Sequence, residues 1–299
     1  MKNQVRLLLA LWFSMAFFPV ALQAQSLDEA TYIAETQKWR QARHDRLADD
    51  NGWLTLVGLE WLVDGDNTVG SAEGSAARIP GGPGSWGVIR VEDDTIMFSP
   101  AAGSGVTVDG KSVQNVRLIA DNQGRPTIVR HGDISFYVIY RESFALRIKD
   151  RKAPVLVAFH GVPQYEIQPN WLIEGDFVRA KEGTTIGIAD VLGHTSDSPV
   201  FGTFEFERDG QSYSLLALGT EESVSLWFLL ADKTSGRETY GAGRFLYSEG
   251  MPENGRLLVD FNKAYNPPCA FNDYSTCPLP PQQNRLRLAV TAGEEKYHD

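Results

Sequence analysis

The stretch that decides the fold class is GVIRVEDDTIMF, residues 87–98, in which short runs of β-branched and aromatic residues are separated by aspartates. The same residue pattern recurs in GVTVDGKSV, residues 105–113, and in DISFYVIYR, residues 133–141. Glycine, proline, asparagine and aspartate stand between these runs, as is typical of β-strands joined by turns. The sequence from Gly52 onward therefore predicts a mainly β protein.

A second series of strand-like runs follows, and it includes LVAFHGV, SPVFGTFEFERDG, GRLLVDFN and NRLRLAVTA. Several of these runs show the period-two alternation of a strand with one buried face. We place the boundary between the two series at KDRKAP, residues 149–154. This predicts a small β-sandwich domain over residues 51–150 and a larger antiparallel β-domain, either a sandwich or a partly open barrel, over residues 151–299.

An N-terminal helix is predicted over residues 25–50. Ser26-Leu-Asp-Glu29 matches a capping box, in which the side chains of Ser26 and Glu29 satisfy free amides at the start of a helix. Tyr32 and Trp39 follow at roughly helical spacing among charged residues.

Residues 1–24 have the features of a secretory signal peptide. Lys2 and Arg6 precede an apolar run over residues 7–22, and the small residue Ala24 follows it. The run is shorter than the ~20 residues that span a bilayer, so we expect no stable membrane anchor after cleavage. The predicted location is periplasmic or secreted.

The charge of the chain bears on its partners. The whole chain has a net charge of −10, and loss of Lys2 and Arg6 with the signal peptide would leave 26 basic against 38 acidic residues, a net charge of −12. An excess of negative charge repels phosphate backbones and anionic lipids. Nucleic acid is therefore not an expected partner.

One motif imitates a nucleotide-binding loop. Residues 105–112 match G-x4-G-K-[ST], but Val106 and Val108 alternate as in a strand, and Asp109-Gly110 is a favoured pair for a two-residue hairpin turn. No cofactor is predicted. The histidines are scattered at His44, His131, His160, His194 and His298, so the sequence predicts no metal site.

Both cysteines of the chain, Cys269 and Cys277, lie in the proline-rich stretch DFNKAYNPPCAFNDYSTCPLPPQQNRL. In an exported protein a disulfide is the expected state, and closing so short a loop contributes about 2.5 kcal/mol to stability. A reactive thiol and a two-cysteine metal site are the alternatives.

The Gly-rich segment TSGRETYGAGRFL, residues 234–246, supplies the candidate binding residues. The predicted pocket lies under the proline-rich loop, and its candidate ligand-binding residues are Tyr240, Arg244, Asp260, Asn262 and Tyr265. Asp260, Asp232 and Glu238 are the candidate partners of Arg244. The alternative is a buried structural ion pair that holds the loop to the sheet, which the residue types favour over a ligand site.

Four stretches of the chain resemble a bacterial and archaeal family known as domain of unknown function 1684. They are WR at residues 39–40, GWLTLVGLEWL at 52–62, the Gly-rich segment, and DFNKAYNPPCAF with CPLPPQQNRL after it. The resemblance covers nearly all of the chain after the signal peptide. It implies no activity, cofactor or catalytic residue.

Residues 65–150 also resemble a forkhead-associated β-sandwich in the order of their strand-like runs. That family has an arginine where this chain has Ser71 after Gly70. The resemblance therefore implies a fold and not phosphopeptide recognition.

Three functions remain open from the sequence. The first is binding of a small polar or amphipathic ligand in the cell envelope. The second is an envelope protein–protein interaction module, which would expose an aromatic patch from Trp53, Trp61 or Trp86. The third is a hydrolase with Asp260 as its catalytic general base, which requires that carboxylate to reach solvent.

Overall fold

The computed structural model describes residues 28–297 of the chain. The predicted signal peptide and the capping residue Ser26 lie outside the described residues. The predicted N-terminal helix is confirmed as α1 (Glu29–Leu47), whose N-cap residue is Asp28. Its buried residues lie on one face, as in an amphipathic helix packed on a larger body, and they are Tyr32, Thr36, Arg43 and Leu47.

The first β region follows α1 and consists of two sheets. Its strands are β1 (Leu56–Trp61), β2 (Gly65–Gly70), β3 (Ala77–Arg78), β4 (Gly87–Glu92), β5 (Thr95–Pro100), β6 (Thr107–Val108), β7 (Val116–Leu118), β8 (Val129–His131), β9 (Ile134–Arg141) and β10 (Ser143–Asp150). The sheet orders are β1-β10-β9-β8-β6 and β3-β2-β4-β5-β7, and β2 with β3 is a parallel pair among antiparallel ones. The two sheets share one core, in which Phe98 of β5 meets Phe136 of β9 edge to face at 5.9 Å.

The segment that imitates a nucleotide-binding loop is a hairpin turn. Asp109 and Gly110 both have positive φ, at 45° and 77°, and Val108 pairs with Lys111 across them. Asp-Gly supports such a turn because these residues adopt left-handed conformations most readily. The segment therefore lacks the strand-to-helix turn that a nucleotide-binding loop of this motif requires.

The second β region is a seven-stranded antiparallel sheet. Its strands are β11 (Leu172–Arg179), β12 (Thr185–Ala189), β13 (Thr195–Arg208), β14 (Gln211–Leu218), β15 (Trp227–Leu230), β16 (Arg244–Tyr247) and β17 (Arg256–Asp260). The order is β16-β15-β14-β13-β11-β17, and β12 pairs with β13. Ser248, just after β16, pairs with Val259 of β17, so the two ends of the sheet approach each other and the sheet curls into a half-barrel.

The predicted mainly β fold, with its partly open barrel, is thus confirmed, whereas two local predictions were wrong. The run LVAFHGV is not a strand, because Pro154 begins a short helix, α2 (Pro154–Val157), as proline at the first helical position favours. The run NRLRLAVTA, residues 284–292, is not assigned as a strand although its residues alternate between buried and exposed. The likeness of the first β region to a forkhead-associated sandwich stays a prediction.

Candidate functional site

Arg244 begins β16 and is fully buried inside the half-barrel. Its Nη2 donates to Asp232 Oδ2 at 2.9 Å, and both side chains of this ion pair are inaccessible to solvent. Of the three partners considered from the sequence, Asp232 is the one that Arg244 contacts. Asp232 Oδ1 also accepts hydrogen bonds from the backbone and hydroxyl of Thr234, at 2.7 and 2.6 Å.

The same guanidinium also bonds to the backbone at and just beyond the end of the C-terminal alternating segment. It donates to the carbonyl oxygens of Val290 (2.9 Å), Ala292 (2.5 Å) and Glu294 (3.2 Å). These carbonyls are two residues apart, so they face the same side of an extended chain. Arg244 therefore supplies the donors that a neighbouring strand would otherwise provide.

Asp260 and Asn262 lie together beneath α1. The backbone and side-chain nitrogens of Asn262 donate to Asp260 Oδ1 at 3.0 and 3.1 Å, and the Tyr32 hydroxyl donates to the same oxygen at 2.8 Å. Burial, followed by the nearby charge of Asp260, raises the pKa of Tyr32, which keeps this hydroxyl protonated as a donor. This cluster fastens α1 to the end of β17.

The environment of Asp260 bears on the hydrolase hypothesis. Its carboxylate is fully buried, and its nearest cation is Lys263, whose Nζ lies 3.7 Å from Oδ2. A general base must reach the proton of a bound water or substrate. The hydrogen bonds of Asp260 instead connect it to parts of its own chain.

The predicted disulfide between Cys269 and Cys277 is present, with Cα atoms 6.1 Å apart. Tyr240 donates from its hydroxyl to the Cys269 carbonyl at 3.1 Å and so ties the Gly-rich segment to this loop. The two segments also touch at Gly243, which has a φ of 98° and where a Cβ atom would meet Pro280 Cγ at 2.5 Å. Glycine is needed there because the proline-rich loop crosses directly over the backbone.

Tyr265 is the predicted site residue that lines a large cavity. Its backbone pairs with Phe245, and its ring lies 5.9 Å edge to face from the Phe245 ring. The guanidinium of Arg43 from α1 lies 4.6 Å from the centre of the Tyr265 ring, a cation–π contact. Arg244, Asp260 and Asn262, by contrast, are fully buried away from solvent. The five predicted residues are thus distributed between a cavity wall and the structure behind it.

This aromatic cavity has a volume of about 860 Å³ and lies among α1, the first β region and the half-barrel. Its aromatic lining consists of Trp39, Trp53, Tyr137, Trp227, Phe245, Tyr247, Tyr265 and Phe271. The charged side chains Arg43, Asp45, Arg46, Asp49 and Lys149 also line it. Burial, followed by repulsion from Arg147, lowers the pKa of Lys149 to about 8.

Sequence reasoning missed most of this lining. Trp39 and Trp53 lie in two of the family-like stretches, and from the sequence Trp53 is predicted only as part of an exposed patch. Trp61 is exposed to a similar degree as Trp53, whereas Trp86 is fully buried in the first core and cannot contribute to such a patch. The family-like motifs around Trp39 and Trp53 were the sequence signal for these lining residues. A motif does not show which surfaces of the folded chain meet to form a cavity.

Within residues 28–297, no group of three or more His, Cys, Asp or Glu side chains is placed to hold a metal ion. No helix in the same range has the length and hydropathy needed to cross a membrane.

Comparisons with known proteins give a family without an activity. Residues 157–295 match the family described as "Protein of unknown function (DUF1684)". No curated protein matches the chain. Among solved structures, the chain is similar to the solution NMR structure of the uncharacterized protein from gene locus rrnAC0354 of Haloarcula marismortui. The two are 32% identical over 46% of this chain and 77% of that one, with a TM-score of 0.39.

Proposed function

This chain belongs to the DUF1684 family, whose function is unknown, and we propose that it binds a small amphipathic molecule in the aromatic cavity. The observation that carries the proposal is the cavity of about 860 Å³ with eight aromatic side chains and a lysine in its lining. Ligand sites in proteins are typically concave, about 300–1,000 Å³ in volume, largely apolar, and supplied with a few polar groups.

The aromatic wall supports the proposal because its members hold one another in place. Trp227 meets Phe245 edge to face at 5.0 Å, Phe245 meets Tyr265 at 5.9 Å, and Tyr265 lies 6.4 Å from Trp39. This series of contacts joins the half-barrel to α1. A wall whose rings are already fixed loses little conformational entropy when a flat or apolar ligand packs against it.

The proposal includes an exported location. The signal-like N-terminus supports it, and so does the disulfide, because disulfides persist mainly in oxidising compartments. A small-molecule partner in the cell envelope is therefore the first candidate.

The other two functions have less support. An interaction module would use exposed aromatic residues, of which Trp53 and Trp61 are 37% and 38% exposed, but Trp53 belongs to the lining of the aromatic cavity and Trp61 does not. Hydrolysis by Asp260 has no support from its fully buried position.

Trp53 and Trp61 are exposed to nearly the same extent, so their alanine variants form a matched pair for testing the proposal. The probe is naphthalene-2-carboxamide, an uncharged aromatic amide, and binding to the purified protein is measured by isothermal titration calorimetry. Trp53→Ala should weaken binding about tenfold, the loss of about 1.4 kcal/mol expected for one stacking partner. Trp61→Ala, outside the cavity lining, should bind as the wild type does.

Two results would overturn the proposal. One is the absence of binding both by naphthalene-2-carboxamide and by charged naphthalene probes of the same shape. The other is binding that Trp53→Ala and Trp61→Ala weaken equally, which would indicate nonspecific adsorption to exposed rings. Circular dichroism of each variant shows whether it is folded.

A further inference from the structure

Three cations on one sheet of the first β region form no contact ion pair with an acid among the described residues. Arg147 and Lys149 lie two residues apart on β10, so they face the same side of the sheet. Lys149 and Arg130 of β8 are both paired with Ser135 of β9, which puts them in one row across three strands. No carboxylate oxygen of residues 28–297 lies within 4.0 Å of any of these three charges.

Some other cations of the protein do have acidic partners. Exposed Arg90 contacts Asp66 at 2.7 Å, and exposed Lys152 contacts Asp133 at 2.5 Å. In a chain with a net charge of −10, acidic partners are abundant. The unpaired positive charges on β8 and β10 are therefore not explained by a shortage of acids.

In the described part of the chain, the groups that contact Arg147 are neutral. It is buried, donates to Thr276 Oγ1 at 3.2 Å and to the Tyr137 hydroxyl at 3.4 Å, and lies 5.3 Å from the centre of the Trp53 ring. Its Nε has no hydrogen-bond partner within residues 28–297. A buried guanidinium without a counter-charge is costly unless an anion comes close.

Lys149 faces the cavity with donors to spare. Its Nζ donates to the backbone oxygen of Asn51 and lies 5.7 Å from the centre of the Tyr137 ring. An ammonium group has three donors, and one is used here. Arg147 and Arg130 both lower the pKa of Lys149, whereas Asp49 raises it, so repulsion adds to the effect of burial.

We propose that the ligand of the aromatic cavity carries an anionic group, of the carboxylate class, that pairs with Lys149 while its apolar part packs on the aromatic wall. This inference rests on the proposed function. The bound anion reduces the electrostatic repulsion among the three cations. It also accepts hydrogen bonds from the N–H groups of Lys149 that are not used by Asn51. Charge-assisted hydrogen bonds of this kind are shorter and stronger than neutral ones.

The two acids that line the cavity do not favour a cationic ligand. Asp45 accepts a hydrogen bond from the Gln41 side chain at 2.8 Å, and Asp49 accepts one from the backbone of Asn51 at 2.7 Å. Both are exposed, so solvent screens them. Lys149 is half-buried and less screened, so it has the stronger influence on the charge of the ligand that the cavity prefers.

The experiment compares three probes of one shape and different charge: naphthalene-2-carboxylate, naphthalene-2-carboxamide and naphthalen-2-ylmethylammonium. The carboxylate should bind the wild-type protein about tenfold more tightly than the carboxamide, and the ammonium probe should bind most weakly. Lys149→Gln should remove the preference for the carboxylate, whereas Lys149→Arg should retain it. Lys152→Gln, on the neighbouring turn, is the matched control and should leave it unchanged.

The outcomes separate this inference from the proposed function. Equal affinity for carboxylate and carboxamide, with binding still dependent on Trp53, would overturn the anionic ligand and leave the cavity function standing. A carboxylate preference that survives in Lys149→Gln would also overturn it. Binding of none of the probes would overturn both proposals.

Discussion

Replacing Arg244 with methionine should leave little folded protein. Methionine occupies part of the volume of the arginine but removes its charge and its donors. Asp232, which is fully shielded in its ion pair, would keep a negative charge with no counter-charge. The carbonyls of Val290, Ala292 and Glu294 would each lose a donor.

The expected magnitude follows from these contacts. Removing one partner of a buried ion pair costs about 3–5 kcal/mol. Each buried carbonyl left without a donor costs about 1 kcal/mol or more, so the three carbonyls that Arg244 serves add about 3 kcal/mol. The total of about 6–8 kcal/mol is as large as the whole free energy of unfolding of many domains, about 5–15 kcal/mol.

The assay is urea unfolding followed by tryptophan fluorescence and far-ultraviolet circular dichroism. Asp232→Asn is the matched variant, because it removes the buried negative charge and retains an acceptor for Thr234. The double variant should therefore be more stable than Arg244→Met alone, a coupling typical of residues in direct contact. If Arg244→Met unfolds within about 1 kcal/mol of the wild type, the structural role argued from its contacts is refuted.

Three further predictions concern the loop, the Gly-rich segment and the cavity lysine. Replacing both Cys269 and Cys277 with alanine should lower the free energy of unfolding by about 2.5 kcal/mol, and dithiothreitol should destabilise the wild type but not this variant. Gly243→Ala should destabilise by more than about 2 kcal/mol because the new Cβ collides with the loop, whereas Gly255→Ala, at φ 75° in open space, should cost about 1 kcal/mol in urea unfolding. The pKa of Lys149, about 8, lies below its unfolded value of about 10.4, so wild-type stability from this group rises as pH increases between these values. Lys149→Met should therefore be more stable than the wild type at pH 7, by a margin that shrinks towards pH 10; a constant margin would contradict the lowered pKa.

The features that could be predicted from the sequence are those with a local signal. The strand-like runs predicted strands such as β4, β5, β9, β13 and β17, and the spacing of Tyr32 and Trp39 predicted α1. Two nearby cysteines in a chain with a predicted signal peptide predicted their disulfide. The partner of Tyr32 could not be predicted, because Asp260 is 228 residues away and only the folded topology brings the two together. The same holds for the cavity, whose lining comes from α1, both β regions and the disulfide loop.

The alternating segment 284–292 shows why even a local signal can mislead. Its alternation correctly predicts which side chains are buried, because every second one lies in the core of the half-barrel: Leu286, Leu288, Val290 and Ala292. Alternation requires only an extended chain with one buried face, however, and not a neighbouring strand. The backbone of residues 284–288 bonds instead to Ala231 and Lys233, and further on Arg244 donates to the carbonyl oxygens of Val290 and Ala292. The role of such a side chain cannot be read from periodicity.

The residues that looked most like a binding site act one layer behind the cavity. Arg244 holds the backbone of Glu294, and the Glu294 carboxylate accepts from Arg43 Nε at 3.1 Å and from the backbone of Asn266 at 2.7 Å. Arg43 then packs over the ring of Tyr265 in the cavity wall, 4.6 Å from its centre. Asp260 acts in parallel by fastening α1, which carries Trp39 and Arg43 to the same wall. A conspicuous Gly-rich, proline-rich and charged motif can therefore arise from the need to fix a cavity wall, while the residues that would contact a ligand are ordinary aromatic side chains spread along the chain.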